Sequence, residues 1–390
     1  MRMAVARHLL TILTLGAALA RPTTLDAQDP ADSTTSPSAN PWSLDLTVHH
    51  WGLGIGNSRH VNGVRLNFRD HDRFLVNGIN ATVWTSVGDA EGMVNGIALG
   101  LPATDAREIR GLALGVAGVG ANNSIDGVGI APIGLGAGER LRGVIIAGIG
   151  GGTGGEVIGV GVGGIGLGSG RGLSGLMVGG LGVGSGGDVA GITLAGVGVG
   201  AGGTLRGISI AGVGVGGGGG VTGIALAGVG VGSGGALHGI SVAGVGVGSG
   251  EGITGVAVGG VGVGSGGTIS GLAIGGIGVG AGELLEGLTI AGVAAGAPRI
   301  RGVVLSPVAG SSNATGAFIA PAYFTIEREG QVTGVAVSAF NHIKGAQHGL
   351  TIGIFNYARN LHGAQVGVLN YAGNNRKGLR LLPLFNAHRD

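Results

Sequence analysis

LRGISIAGVGVGGGGG (Leu205–Gly220) and LHGISVAGVGVGSGEG (Leu237–Gly252) are one unit of 16 residues written twice, and their reading decides the fold. The glycine at 207 recurs at 143, 159, 175, 191, 223, 239, 255, 271 and 287, always 16 residues apart and without an insertion. A fixed period of this kind marks a repeat architecture. Looser units extend it upstream: VNGVRL at Gly63, VNGINA at Gly78, VNGIAL at Gly96, IRGLAL at Gly111 and IDGVGI at Gly127. Downstream come IRGVVL at Gly302, ATGAFI at Gly316, VTGVAV at Gly334, HGLTIG at Gly349, HGAQVG at Gly363 and KGLRLL at Gly378, for 21 units in all.

Within a unit the apolar residues alternate as in strands. Ile208 and Ile210 flank Ser209, and Val213 and Val215 flank Gly214. Period two is the signature of a strand with one buried face. The phase slips at Ala211-Gly212 and again between Leu205 and Ile208, so turns or bulges are predicted there. Branched residues favour strand, and glycine at this density defeats a helix. One turn per unit predicts an all-β fold, an elongated, glycine-rich tandem-repeat β-solenoid with about 16 residues per coil. The column before the anchoring glycine (Arg142, Ile158, Ser174, Ala190, Arg206, Thr222, His238, Thr254, Ser270, Glu286) is mostly polar and is predicted to face water. The columns one and three residues after it are nearly all Val, Ile or Leu and are predicted to face inward. At about 4.8 Å per strand, 21 coils predict a rod on the order of 100 Å long.

Composition agrees and removes alternatives. Glycine supplies 95 of 390 residues, but 44% of the chain is apolar and mean hydropathy is +0.49, which argues against disorder. Ten prolines cannot build collagen, and 13 aromatic residues are too few for an ordinary globular core. The pI is near 9.4, yet a net charge of +2 creates no field for nucleic acid, so no nucleic-acid partner is expected. With no cysteine there are no disulfides, thiolate metal sites or thiol nucleophiles.

Five regions follow. Residues 1–20 read as an export signal, with Arg2 and Arg7 before the apolar run Leu9–Ala20 and small residues for cleavage after Ala20 or Ala27. Residues 21–44 read as a flexible linker rich in Pro, Ser, Thr and Asp. Residues 45–140 carry irregular N-terminal repeats and a cap, 141–296 the regular glycine-rich repeats, and 297–390 Asn- and aromatic-bearing repeats with a second cap. Only eight charged residues fall between 141 and 296. The flanks are richer: HVNGVRLNFRDHDR (60–73) at one end, and Arg376, Lys377, Arg380 and Arg389 at the other. Exposed strand edges need such protection.

Motifs that carry chemistry are thin. GVGAGG (198–203) satisfies GxGxxG, but a glycine tandem does so by construction and no helix pattern follows. Calcium nonapeptides need an aspartate per unit, and the regular tract holds only Asp188. His49-His50, with His60 and His71, is the best metal candidate, but adjacent strand residues point to opposite faces. Glu251, Glu283 and Glu286 are too scattered for a catalytic carboxylate pair. No catalytic, cofactor or metal residue is therefore assigned, no cofactor is implied, and the chain reads as non-enzymatic. Asn341, Asn356 and Asn370 each follow their anchoring glycine by seven residues, and Asn386 follows Gly378 by eight. Stacked coils would align them as a ladder of amides, beside Phe340, Phe355, Leu369, Tyr357 and Tyr371.

Over 334–386, clearest in GLTIGIFNYARNLHGAQVGVLNYAGNNRKGLRLLPLFN (349–386), the chain resembles the bacterial surface-repeat proteins, exported tandem repeats of units like GxQxGLxNxA. The resemblance implies an address at the cell surface, outer membrane or exterior, and brings no site residues. The leading expectation is a surface or envelope protein serving as structural spacer or binding scaffold, with its ligand open. Membrane association and end-to-end self-association are both compatible with it. The alternative is an outer-membrane β-barrel or channel-like protein, which would require a double period of about 32 residues. An ice-binding face would need regular threonines, but the column Thr193, Ser209, Ala225, Ser241, Ala257, Ala273, Thr289 is irregular.

Overall fold

The computed structural model describes residues 42–71, 73–86 and 90–389; the expected export signal and most of the linker lie outside the described residues. One coil shows how the sixteen residues are used. A long strand, Thr204–Ala211, ends where the phase slip predicts, and the chain bends at Gly212-Val213. A short strand, Gly214–Gly217, follows, then a bend at Gly218-Gly219, and the next long strand begins at Gly220. GVGAGG (198–203) is therefore the short strand Gly198–Ala201 and a bend, with no helix after it.

Successive coils are parallel and in register. Gly191 pairs with Gly207 and Gly207 with Gly223; Val199 pairs with Val215 and Val215 with Val231. Even the bends bond coil to coil, Gly212 N–H to the Ala195 carbonyl at 3.2 Å and Gly218 N–H to the Ala201 carbonyl at 2.9 Å. The fold is the predicted β-solenoid. Parallel neighbours are incompatible with an up-and-down barrel, whose adjacent strands alternate in direction, so the barrel alternative is set aside. No helix among the described residues is long and apolar enough to cross a membrane.

The anchoring glycine is required by the backbone. Gly207 has φ +110, and a Cβ there would lie 2.2 Å from the Gly191 carbonyl oxygen. The same positive φ recurs in the anchors from Gly63 to Gly363, and each is met by the carbonyl of the glycine one coil earlier. Nineteen steps along that column give a rod of about 90 Å.

The inside and outside of the long strand are the reverse of the sequence expectation. Leu205, Ser209 and Ala211 are buried, whereas Ile210 is 39% exposed and Ile208 half-buried. Counted through Gly207, the buried set keeps period two, so no slip occurs at the anchor. The reason is the narrow bore of the coil. In this coil Leu205 and Val215 occupy most of it and Ser209, Ala211 and Gly217 fill what remains, while the larger members of the Ser209 column, Ile145 and Met177, sit beside glycines, Gly129 and Gly161, in the preceding coil. Size, the usual guide to burial, therefore points the wrong way. The polar column through Arg206 does face solvent, as expected, with Arg206, Thr222, His238 and Thr254 exposed.

Both ends are closed by strands that run against the stack. Ser43–Val48 lies antiparallel to Trp51–Gly56, and the latter is parallel to His60–Arg69 with Gly52 opposite Gly63. Gly52, with φ +143, is an anchor that the repeat pattern did not reveal. At the other end Gly378 is not an anchor, so 21 units overcounts on that side. It lies in a short 3-10 turn, Lys377–Leu379, after which Leu381–His388 returns antiparallel to the last coil.

Candidate interaction faces

Three surfaces follow from the outward columns. The first is apolar. The residues one and three after the anchor, Ile208 and Ile210 in the reference coil, stand outward on the long strand. Every coil from Gly63 to Gly363 has Val, Ile, Leu or Ala at both positions. Along the bend beside this face runs a third exposed apolar column, Ile133 to Val293 through Val213, which is itself 46% exposed. The interior is more polar than this exterior: behind the same strand lie Arg65, Asn80, Thr193, Ser209 and Thr289, all buried. The column from Thr193 to Thr289, which an ice-binding face would need on the outside, is thus inside the coil.

The second surface is bare backbone. Gly214 and Gly216 occupy the outward positions of the short strand, and their equivalents repeat along the regular tract. At Gly168, Gly184, Gly200, Gly232, Gly248 and Gly264 an added Cβ would meet nothing within 4 Å. The coil does not require glycine there. The third surface is the polar column. Asp188 accepts hydrogen bonds from Thr204 N–H at 2.8 Å and Thr204 Oγ1 at 2.9 Å, with Arg206 at 3.7 Å. These bonds, the backbone one foremost, hold its carboxyl below the usual aspartate value.

The C-terminal coils carry the predicted amide ladder. Asn341 Nδ2 donates to Asn356 Oδ1 and Asn356 Nδ2 to Asn370 Oδ1, each at 2.7 Å, and all three side chains are buried. Asn386 joins differently, from the antiparallel closing strand, donating to the Asn370 backbone carbonyl at 3.2 Å. A shorter ladder, Gln365 Nε2 to Gln347 Oε1 at 3.1 Å, has no counterpart in the sequence reading. Replacing Asn356 with Ala leaves Asn370 Oδ1 without its donor and removes one acceptor from Asn341. At about 1–3 kcal/mol per orphaned buried group, the C-terminal coils should lose about 2–4 kcal/mol. Hydrogen exchange should show protection lost over 340–372 and kept in the regular tract, since neighbouring coils unfold locally in such arrays.

Aromatic rings stack outside this ladder: Phe340 on Phe355 at 5.1 Å, Tyr357 on Tyr371 at 5.0 Å and His348 on His362 at 4.7 Å between centroids. His342 meets Tyr323, Phe340 and Tyr357 edge-on, with Nδ1 2.9 Å from the Tyr323 hydroxyl. Burial first, and the Lys344 charge second, lower its pKa from the ordinary 6.5. A histidine depressed in the folded state binds fewer protons there than in the unfolded chain, so stability rises with pH. The contribution is present above 6.5 and is lost as pH falls through the lowered value. The urea midpoint of the C-terminal coils should drop as pH is taken below 6.5, and His342→Gln should remove that drop.

At the N-terminal end the first coils are plugged by a polar network. Buried Arg65 bonds Asp70 at 2.5 Å, Asn80 at 3.0 Å and Asn57 at 3.1 Å, and lies 4.4 Å from the Phe74 ring centre. Asp45 accepts from Ser58 nearby. His49 and His50 sit in the turn between the first two strands, both at positive φ, and His50 stacks on His60 at 4.5 Å. Among the described residues no three His, Cys, Asp or Glu side chains gather at metal-binding range. An open apolar cleft of about 480 Å³ between Trp42, Leu66, Phe68 and Leu101 carries no convergent ionisable groups. The chain matches no protein-family model, no curated protein and no solved structure.

Proposed function

We propose that the chain is a non-enzymatic scaffold of the bacterial envelope or surface, a stiff spacer that works through its repetitive faces. The observation that carries this reading is the unbroken run of Val, Ile, Leu and Ala at both outward positions of the long strand, from Gly63 to Gly363. Such repetition suits presentation of one face along a length, whereas a catalytic site gathers different residues at one place. Stiffness has its own basis, since strands and bends alike hydrogen-bond to the next coil. The likeness of 334–386 to exported surface repeats, together with the signal-like residues 1–20, supports the address.

The test is fractionation of bacterial cells expressing the tagged chain, with protease added to intact cells. The reading expects the chain in the envelope or medium and digested from outside. Recovery of an uncleaved chain in the cytoplasm would overturn the address. A scaffold also expects no loss of its cellular role when His49, His50 and His60 are replaced together.

A further inference from the structure

Monomeric soluble proteins rarely expose a contiguous apolar patch above roughly 300–600 Å². The face through Ile208 and Ile210 is larger. Four residues of strand make it about 13 Å wide, and nineteen coil steps make it about 90 Å long, giving on the order of 1,200 Å². A stable interface needs about 800 Å² from each partner. We propose that two copies of the chain associate side by side through this face. The inference concerns association alone and does not depend on where the chain resides.

Three further observations select a second copy over a lipid surface. The two columns contain no charged or polar residue from Gly63 to Gly363, so identical faces meet without like-charge repulsion. Their ridges repeat at one coil spacing, so a face is complementary to itself, as a two-fold interface requires. Membrane-surface elements instead border their apolar side with Lys, Arg, Trp or Tyr. Here one border is the anchoring glycine and a polar column of mixed charge, Arg142, Arg206 and Arg301 with Asp126 and Glu286, and the other is the apolar bend column through Val213. All three tryptophans lie at the N-terminal end, at 42, 51 and 84.

Sedimentation equilibrium of the full chain should give twice the chain mass at micromolar concentration. The combined variant Ile192→Thr, Ile208→Thr, Ile224→Thr and Ile240→Thr keeps β-branching, and hence the strand, while removing apolar contact. Its dimer should dissociate at least about 100-fold more readily, with an unchanged circular dichroism spectrum. Should that variant misfold, single-cysteine chains decide, since the protein has no native cysteine. A nitroxide at Val256→Cys should be shielded from a polar collision reagent until dilution dissociates the pair, and one at Thr254→Cys should be open throughout. A wild-type monomer, or a folded variant as dimeric as wild type, would overturn the proposal. So would a Val256 label that is open at every concentration. A wild-type chain that is monomeric alone but floats with phosphatidylcholine vesicles would assign the face to lipid instead.

Discussion

Gly207→Ala destabilises the coil stack by about 3 kcal/mol or more, while Gly232→Ala leaves it unchanged or up to about 1 kcal/mol more stable. The two glycines sit in successive coils and are both in strands, but they answer to different constraints. Gly207 holds φ +110, and its Cβ would lie 2.2 Å from the Gly191 carbonyl oxygen. Alanine there must leave a conformation it rarely adopts and also push two coils apart. At Gly232 φ lies outside the left-handed region and an added Cβ meets nothing within 4 Å. The only expected effect is a smaller entropy of the unfolded chain. Denaturant midpoints of the two variants check this, and equal losses at both would contradict the assignment of the anchor.

Ser209→Asp should cost about 3–5 kcal/mol, and Ile210→Asp about 1 kcal/mol or less in the monomer. Ser209 is 4% exposed, in a column between Thr193 and Ala225. A carboxylate there would be desolvated beside neighbours that carry no positive charge. Ile210 points outward, and an aspartate in its place can reach water. The same outward substitution interrupts the proposed self-association face, so the two properties separate: 209 governs the melt and 210 the oligomer. Thermal melts at low concentration, read beside sedimentation, distinguish them. A larger loss at 210 than at 209 would restore the orientation that residue size suggests.

The period was legible because glycine at the anchor cannot be replaced without strain, so it marks every coil. The bend at Gly212-Val213 was legible from the phase slip, and the amide ladder from the shared offset of Asn341, Asn356 and Asn370. Orientation was not legible. The pattern LRGISIAG offers two readings of period two, and the larger side chains favoured the wrong one, because nothing local reports how narrow the coil is. Arg65 was hidden for a related reason. It stands at a core position by register, but its burial depends on Asp70, Asn80 and Asn57, which come together only when the first coils stack. Gly378 shares the local pattern of an anchor, and only the chain's reversal at Lys377–Leu379 removes it from the column.

In the solenoid the coils advance along one axis by one strand spacing every unit. Paired nitroxides in the outward polar column measure that advance directly, on a chain without native cysteines. Labels at Arg142 and Arg206, four units apart, should lie about 19 Å from each other, and labels at Arg142 and Glu286, nine units apart, about 43 Å. Intermediate pairs should fall on the same straight line. Distances that level off or shorten as units are added would mean that the chain closes on itself, and the solenoid would be wrong.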